Sequence, residues 1–537
     1  MGLLRRHFLV LAIWLLACGP ALAGQGFSLT ILSTNDIHAH LSPIDPMGVM
    51  CDQAADAAGK CQGGVARLAT AIARERAKGV PTLLLDAGDQ FQGSLYFAKY
   101  KGEPLAFFMN RLGYDAMTLG NHEFDDGPAT LAAFLKALHF PVVAANLDLS
   151  ASPELRGLTR PFVVRQVAGH KIGIVGLTHP KSPEMSSPGP GIEFEKILPS
   201  VSRAVAALKR QGVSSIILVS HAGFEADKKL AAAVPAIDVI VGGHSHVLLA
   251  NGAPGAVGPW PLVVPHTGGS PSLVVTAGFW GRFLGVLHVT FDAAGRVATY
   301  GGNPVLLDAS VPEDPTVAAA LARYAKPLEE LRSSVLGQAE TALDAAGCRR
   351  EECQPGDLLA EAMLAAGKAS GAVAALVDSV NIRAGLPAGN ITQADVLTAF
   401  SRPSTLVTVT LSGKALADLL EYGLGRLGVH GKTGRFLQVA GLRYAYDPDQ
   451  PEGSRLGDVQ IADAKGWFSP LEPETAYRVA ITSFMGRDGA GFDIRSHGRD
   501  FTDSGRPIAA IVADYVKTHS PLASALDGRI RHAADAK

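Results

Sequence analysis

The sequence predicts a two-domain protein, in which a layered α/β domain is joined by a long helix to a second, α+β domain. Three observations predict it. The chain has 537 residues, well beyond the roughly 250–300 at which a single hydrophobic core stops growing. From Phe27 to about Gly301, short apolar runs alternate with polar turns and helical stretches, as they do where helices cover sheets. Residues 315–335 then place apolar side chains four and three apart, and the pattern changes beyond them. The expected division is a signal peptide over 1–23, a first domain over 24–312, a linker helix over 313–336 and a second domain over 337–537. A formal charge of −2 excludes a basic protein built to track nucleic-acid phosphates.

The first segment reads as an export signal. Arg5 and Arg6 form its charged start, Phe8 to Ala17 its apolar core, and Ala21-Leu22-Ala23 an A-x-A cleavage site. The apolar run is too short to span a membrane, and no other stretch is long enough, so no transmembrane segment is expected. Arg5-Arg6 also resembles a twin-arginine signal, and Leu15 to Cys18 a lipoprotein box. The site at Ala23 favours a soluble periplasmic or secreted product. Beyond Cys18, the cysteines Cys51, Cys61, Cys348 and Cys353 fall into two close pairs. In an exported chain, disulfides 51–61 and 348–353 are expected ahead of free thiols or a zinc site.

In the first domain the strands are expected over Leu29–Leu32, Thr82–Leu85, Ala116–Leu119, Val142–Ala145, Ile172–Leu177, Ile216–Val219 and Val239–Val241. Each is a short β-branched or leucine-rich run, as in buried strands. Val65, Leu68 and Ile72 recur at helical spacing between two of them, and Val274–Thr276 and Leu284–Phe291 close the domain. In the linker helix, Pro315 suits the first turn, Pro327 is expected to kink it and Gly337 to end it. The second domain shows helices at Asp357–Ala366 and Lys414–Tyr422. Its strands are Val373–Val377, Leu406–Leu411, Leu442–Tyr446 and Tyr477–Thr482.

The chemistry sits where the first domain's strands end. Asp36 and His38 follow the first strand, Asp89 the second and Asn121 the third; His221, His244 and His246 follow two later ones. Open α/β sheets bind ligands outside the carboxyl ends of their strands, and packing alone does not call for Asp, Asn and His there. This mixed oxygen and nitrogen set suits Zn²⁺, Mn²⁺ or Fe²⁺. Seven ligands are too many for one tetrahedral ion and fit two that share a carboxylate, an arrangement that clamps phosphoryl oxygens. Asp86 is expected to support the Gly88–Asp89 turn, and Glu123 and Asp126 to be structural. His139, His170, His288 and His519 are read as structural, while His40, His179 and His266 stay open.

The segments NDIHAH, DAGDQFQGS, GNHEFD, SHAGFEAD and GGHSH resemble the calcineurin-like metallophosphoesterase domain of the 5′-nucleotidase family. Similarity continues through CQGGVARLATAI into the second domain and covers nearly the whole mature chain. The resemblance implies a layered α/β/β/α metallophosphoesterase domain and a second α+β substrate-specificity domain. It implies two divalent metals, zinc first and manganese next. One would be held by Asp36, His38, Asp89 and His246, and the other by Asp89, Asn121, His221 and His244. His122 and Asp125 match the family's His–Asp pair, with His122 stabilising the phosphoryl transition state. The implied activity is hydrolysis of nucleoside 5′-monophosphates by a metal-bound hydroxide, with nucleotide sugars, cyclic nucleotides or other esters as alternative substrates. A non-catalytic binding protein is the other alternative. The partner is a small phosphoester, a nucleotide by the resemblance, and not a nucleic acid polymer.

By the same resemblance, Arg349, between Cys348 and Cys353, and Arg383 contact substrate. Two guanidiniums suit a phosphate or carboxylate. Phe484 matches one of two phenylalanines that sandwich a base. The chain departs from the family at three places: Arg402 stands for the other phenylalanine, Ala490 for a ribose-binding aspartate, and Asp378 for an asparagine. Arg402 is expected to stack on the base through its planar face, and Asp488 to take over the ribose contact.

Overall fold

The computed structural model describes residues 26–533 apart from 47, 49, 403, 426, 428–434, 464–465 and 523–524. The expected signal segment, with Arg5, Arg6, Cys18 and Ala23, lies outside the described residues.

Two sheets face each other in the first domain. One runs Val297–Gly302, Phe283–Phe291, Phe27–Thr34, Thr82–Asp86, Ala116–Met117, Val142–Val143 and Thr159–Arg160, with Val305–Leu306 paired to Phe283–Phe291. From Phe27–Thr34 to Thr159–Arg160 its strands are parallel. The other runs Leu262–Val264, Ser272–Val275, Val239–Gly242, Ser215–Ser220, His170–Leu177 and Phe162–Val167. Ile31 and Leu85 of the first sheet meet Ile174, Val219 and Val241 of the second in a dry layer. Helices Val65–Arg76, Glu103–Leu112 and Gly127–Ala137 cover the outer face of the first sheet. Ile197–Arg210 and Phe224–Ala233 cover that of the second. The layers are α/β/β/α, as expected.

Two strands are shorter than the sequence suggests. Ala116–Met117 stops early because the chain turns into the Gly120–Asn121 loop. Val142–Val143 stops because Ala145 N–H already donates to Gly176 in the opposite sheet, at 2.8 Å.

The linker helix is Pro315–Ser333, with Asp314 accepting at its N-terminus from the N–H groups of Thr316 and Val317. Pro327 lies inside it. Gly337 does not end the helix. It lies in the strand Val335–Ala339, which pairs with Gly389–Thr392, and a Cβ there would crowd Val516 and Ser520.

In the second domain a five-stranded sheet runs Leu437–Ala440, Ala374–Asp378, Ala476–Thr482, Thr405–Ser412 and Arg499–Pro507. Helices Gln354–Gly367 and Ile508–His519 pack on one face, and Gly413–Leu424 on the other. A four-stranded sheet containing Leu442–Tyr446 stands beside it. The helix Gln393–Ala399 ties the two domains together. It packs on the linker helix and on Leu95–Tyr100, and its Ala394 is buried in the first domain's core.

Both expected disulfides, Cys51–Cys61 and Cys348–Cys353, are formed. Among the described residues no helix is long and apolar enough to cross a membrane.

Candidate active site

The parallel strands deliver their polar ends to one edge, and the chain there is tightly bent. Asp36, His38, Asp89, His244 and His246 all have left-handed backbones, with φ of 51, 50, 56, 70 and 55°. Such conformations are costly for residues with a Cβ and persist only where the surroundings enforce them. Glu123 enforces the Asp89 turn by accepting from the N–H groups of Asp89, Gln90, Phe91 and Gly120. Asp86 accepts from Gly88 N–H at 2.9 Å, the supporting role expected of it. At Gly120 a Cβ would collide with the Asp89 carboxylate, so only glycine lets this loop approach so closely.

The donors converge. Oxygen and nitrogen atoms of Asp36, His38 and His246 lie within 4.8 Å of one another, and so do those of Asp89, His221 and His244. Asp89 joins the groups, its Oδ2 lying 3.1 Å from His221 Nε2 and 3.9 Å from His38 Nε2. Asn121 Oδ1 is 2.9 Å from His244 Nδ1.

The donor set fits divalent cations. His38 Nδ1 lies 3.1 Å from the Phe91 carbonyl and His221 Nδ1 2.6 Å from that of Ala87. With a proton on each Nδ1, the Nε2 lone pairs face the site. His221 Nε2 is fully buried and faces the Asp89 carboxylate. Burial holds His38 and His244 well below the usual imidazole range, which keeps them neutral, as ligands must be. Burial would also lower His221, but the Asp89 carboxylate outweighs it and pushes the ring up to about 10. The place therefore favours positive charge.

Beside the donors, His122 Nδ1 lies 2.7 Å from Asp125 Oδ2, while Ser186 Oγ donates to Asp125 Oδ1 at 2.6 Å. His122 also falls within 4.8 Å of His38 and Asp89, but its Nδ1 is engaged by Asp125.

These groups form one wall of a cleft of about 1170 Å³ between the domains. Arg349, Arg383 and Arg402 line the other. Burial, then the neighbouring Arg402 charge, pushes Arg383 down to about 10. Such a cluster of cations welcomes an anion.

Family models match both domains: calcineurin-like phosphoesterase over residues 29–248 and 5′-nucleotidase, C-terminal domain over 335–497. A Bos taurus 5′-nucleotidase is 35% identical, covering 97% of this chain and 94% of the relative. The chain belongs to the 5′-nucleotidase family. A Homo sapiens 5′-nucleotidase is 34% identical over the same shares. The 5′-nucleotidase precursor of Thermus thermophilus is 40% identical, with a TM-score of 0.81 covering 94% of this chain and 99% of that one. Membership sets the enzyme class, a metal-dependent phosphoric monoester hydrolase of the 5′-nucleotidase type, and implies divalent metal ions.

Measured against the 5′-nucleotidase pattern, the second domain departs further than the sequence suggests. Phe484 is 2% exposed and packed in the second domain's core, away from the cleft lining. Arg402 stacks on this ring, its Cζ 4.4 Å from the centroid, so the two do not face each other across a gap. Asp488 is also absent from the cleft lining. Its Oδ1 accepts from the N–H groups of Ile494 and Arg495, capping a helical turn. Ala490 does line the cleft. Asp378 is buried and bonded to Asn381 and Thr482.

The structure also brings in residues the motifs do not mark. Ser186 reaches Asp125 from 61 positions away. His179 stacks on His244 at 4.3 Å and lines the cleft. Its place just after the strand His170–Leu177 was the available signal. His40 also lines the cleft, packed against Trp280, whereas His266 meets Ser272.

Proposed function

We propose that the protein is an exported 5′-nucleotidase that uses two divalent ions to hydrolyse nucleoside 5′-monophosphates to nucleoside and phosphate. The observation that carries this reading is the Asp89 carboxylate, placed between two donor groups on one wall of a cleft whose other wall presents arginines. Asp36, His38, Asp89 and His246 would hold one ion; Asp89, Asn121, His221 and His244 would hold the other. The donor set favours zinc, with manganese next. When bound, the ions would supply Lewis acidity at the phosphoryl oxygens and would lower the pKa of the attacking water.

The chain's own residues do the rest. Arg349 and Arg383 bind the anionic substrate and orient it, and the Cys348–Cys353 disulfide steadies the Arg349 loop. Asp125, 2.7 Å from His122 Nδ1, orients and charge-stabilises the imidazole, and His122 then stabilises the charge developing on a phosphoryl oxygen. Water oxygen bonds to phosphorus as the ester P–O bond breaks, and the proton lost by the attacking water balances the one taken up by the leaving alkoxide. The proposed first domain spans 24–312, the linker 313–336 and the specificity domain 337–537. The two disulfides support export.

One observation favours a second reading, a phosphohydrolase of the same fold acting on other phosphoesters. Phe484 lies buried beneath Arg402, so it does not stand ready as one of two rings around a base. Phosphate release from nucleoside monophosphates, nucleotide sugars, cyclic nucleotides and simple phosphomonoesters, together with metal analysis, tests both. Fastest turnover of nucleoside monophosphates with two ions per chain is expected. Hydrolysis of none of them would overturn the reading.

A further inference from the structure

Arg402 belongs to the second domain, following the helix Gln393–Ala399, yet it reaches into the first. Its Nη2 donates to the Met185 carbonyl at 3.0 Å, and its Nη1 lies 3.8 Å from Asp125 Oδ1. Only 6% of the residue is exposed, and its Nε and Nη1 have no hydrogen-bond partner. One face of the guanidinium rests on Phe484. Burying such a cation is unfavourable unless its surroundings compensate, and here the ring, the carbonyl and the carboxylate do so.

What it touches is a continuous path. Met185, whose carbonyl it holds, is followed by Ser186, whose hydroxyl donates to Asp125 Oδ1; Asp125 Oδ2 in turn meets His122 Nδ1. The helix Ser182–Met185 also packs against the Gly489–Gly491 turn of the second domain. One guanidinium therefore acts on Asp125 twice, through charge and through the backbone that carries Ser186. Burial alone would raise the Asp125 carboxyl; the Arg402 charge, then His122, outweighs it and holds it below the usual range.

We propose that Arg402 is a positioning residue which, once the second domain is seated on the first, fixes Asp125 and the Met185–Ser186 segment and so sets the orientation of His122. The proposal rests on the reading of His122 and Asp125 as the catalytic pair. It assigns Arg402 to the join between domains and not to a base face. The planar fork is suited to this, because it can rest on a ring while its edge serves a carbonyl and a carboxylate.

A double-mutant cycle with a backbone readout tests it. Wild type, Arg402→Met, Asp125→Asn and the double variant are compared for metal content, kcat and KM on a nucleoside monophosphate, and for amide hydrogen exchange across 179–188. In Arg402→Met, kcat should fall by roughly tenfold to a hundredfold, KM should change by less than about threefold, and metal content should hold. Exchange across 182–186 should rise. In the Asp125→Asn background the kcat effect should shrink below about threefold. Equal effects in both backgrounds, a rise in KM alone, or unchanged exchange would each overturn the proposal. If Arg402→Met does not fold, Arg402→Gln, which keeps a donor for the Met185 carbonyl but no charge, should show the kcat loss with a smaller exchange change. A glutamine variant with wild-type kcat would overturn the proposal. Wild-type protein inactive on every phosphoester would instead sink the nucleotidase reading, and exchange alone would then decide the role of Arg402.

Discussion

The backbone N–H of His122 donates to Asp89 Oδ1 at 2.9 Å, so the carboxylate proposed to be shared by two ions also anchors the loop that carries the imidazole proposed to be catalytic. An asparagine at 89 can keep an acceptor for that N–H while it removes the charge and turns the other oxygen, beside His221 Nε2, into an NH2 group. Asp89→Asn should therefore fold normally, lose at least one ion and lose most phosphate release, as should wild type treated with a chelator. Elemental analysis beside phosphate release checks this. Two bound ions with normal turnover in the variant would refute the bridging role.

His122→Ala separates ligand from transition-state donor. The family resemblance makes His122 a transition-state donor beside the ligands, so removing its ring is expected to leave metal content unchanged. The expected loss in kcat is roughly 10²–10³-fold, the usual scale for one lost donor. Metal loss with unchanged kcat per bound ion would make His122 a ligand.

The Cys348–Cys353 bridge frames Arg349, and every proposed metal ligand lies in the other domain. Replacing both cysteines by serine should raise KM by roughly threefold to tenfold, because a looser loop costs more to order around an anion. Metal content should not move. A loss of metal with unchanged KM would contradict the assignment.

Sugar preference should be weak. Ala490 lines the cleft at the position where the family resemblance implies a ribose-binding aspartate, and Asp488 is committed to Ile494 and Arg495. A charge-assisted hydrogen bond worth roughly 1.5–3 kcal/mol is therefore missing. The kcat/KM values for AMP and dAMP should lie within about tenfold of each other. A hundredfold preference for AMP would reveal another ribose contact.

Asp357 predicts a pH effect on stability away from the metal site. Burial pushes its carboxyl up to about 8, and Arg529, 3.5 Å away, does not offset this because it already serves Asp527 and Glu361. The folded form holds this proton more tightly than the unfolded chain, so the contribution of Asp357 to stability is fullest at low pH and is lost as pH rises toward 8. Asp357→Asn lacks that proton. Its melting temperature relative to wild type should climb between pH 5 and 8, and a constant difference would show Asp357 to be ionised throughout.

Much of this was legible in the sequence for a simple reason. The strand His170–Leu177 and its neighbours are runs of buried apolar residues, and Asp89 or His244 stands out because it breaks such a run at a strand end. Ser186 was not legible, since its contact with Asp125 depends on how two distant loops meet. Phe484 and Arg402 were legible as positions but not as partners: a motif match locates a side chain and does not say what it packs against. Gly337 reads equally as a helix stop or as a close-packed strand residue, and only the neighbouring Val516 decides.

The left-handed backbones at Asp36, His38, Asp89, His244 and His246 also restrict which substitutions these positions accept. Coordination demands a donor atom, while the backbone disfavours β-branched side chains whatever their chemistry. A library selected for folding alone, with catalysis ignored, should therefore still reject valine and isoleucine at these five sites and tolerate glycine and asparagine. Folding and metal binding act there as separate filters, and only their overlap leaves Asp and His.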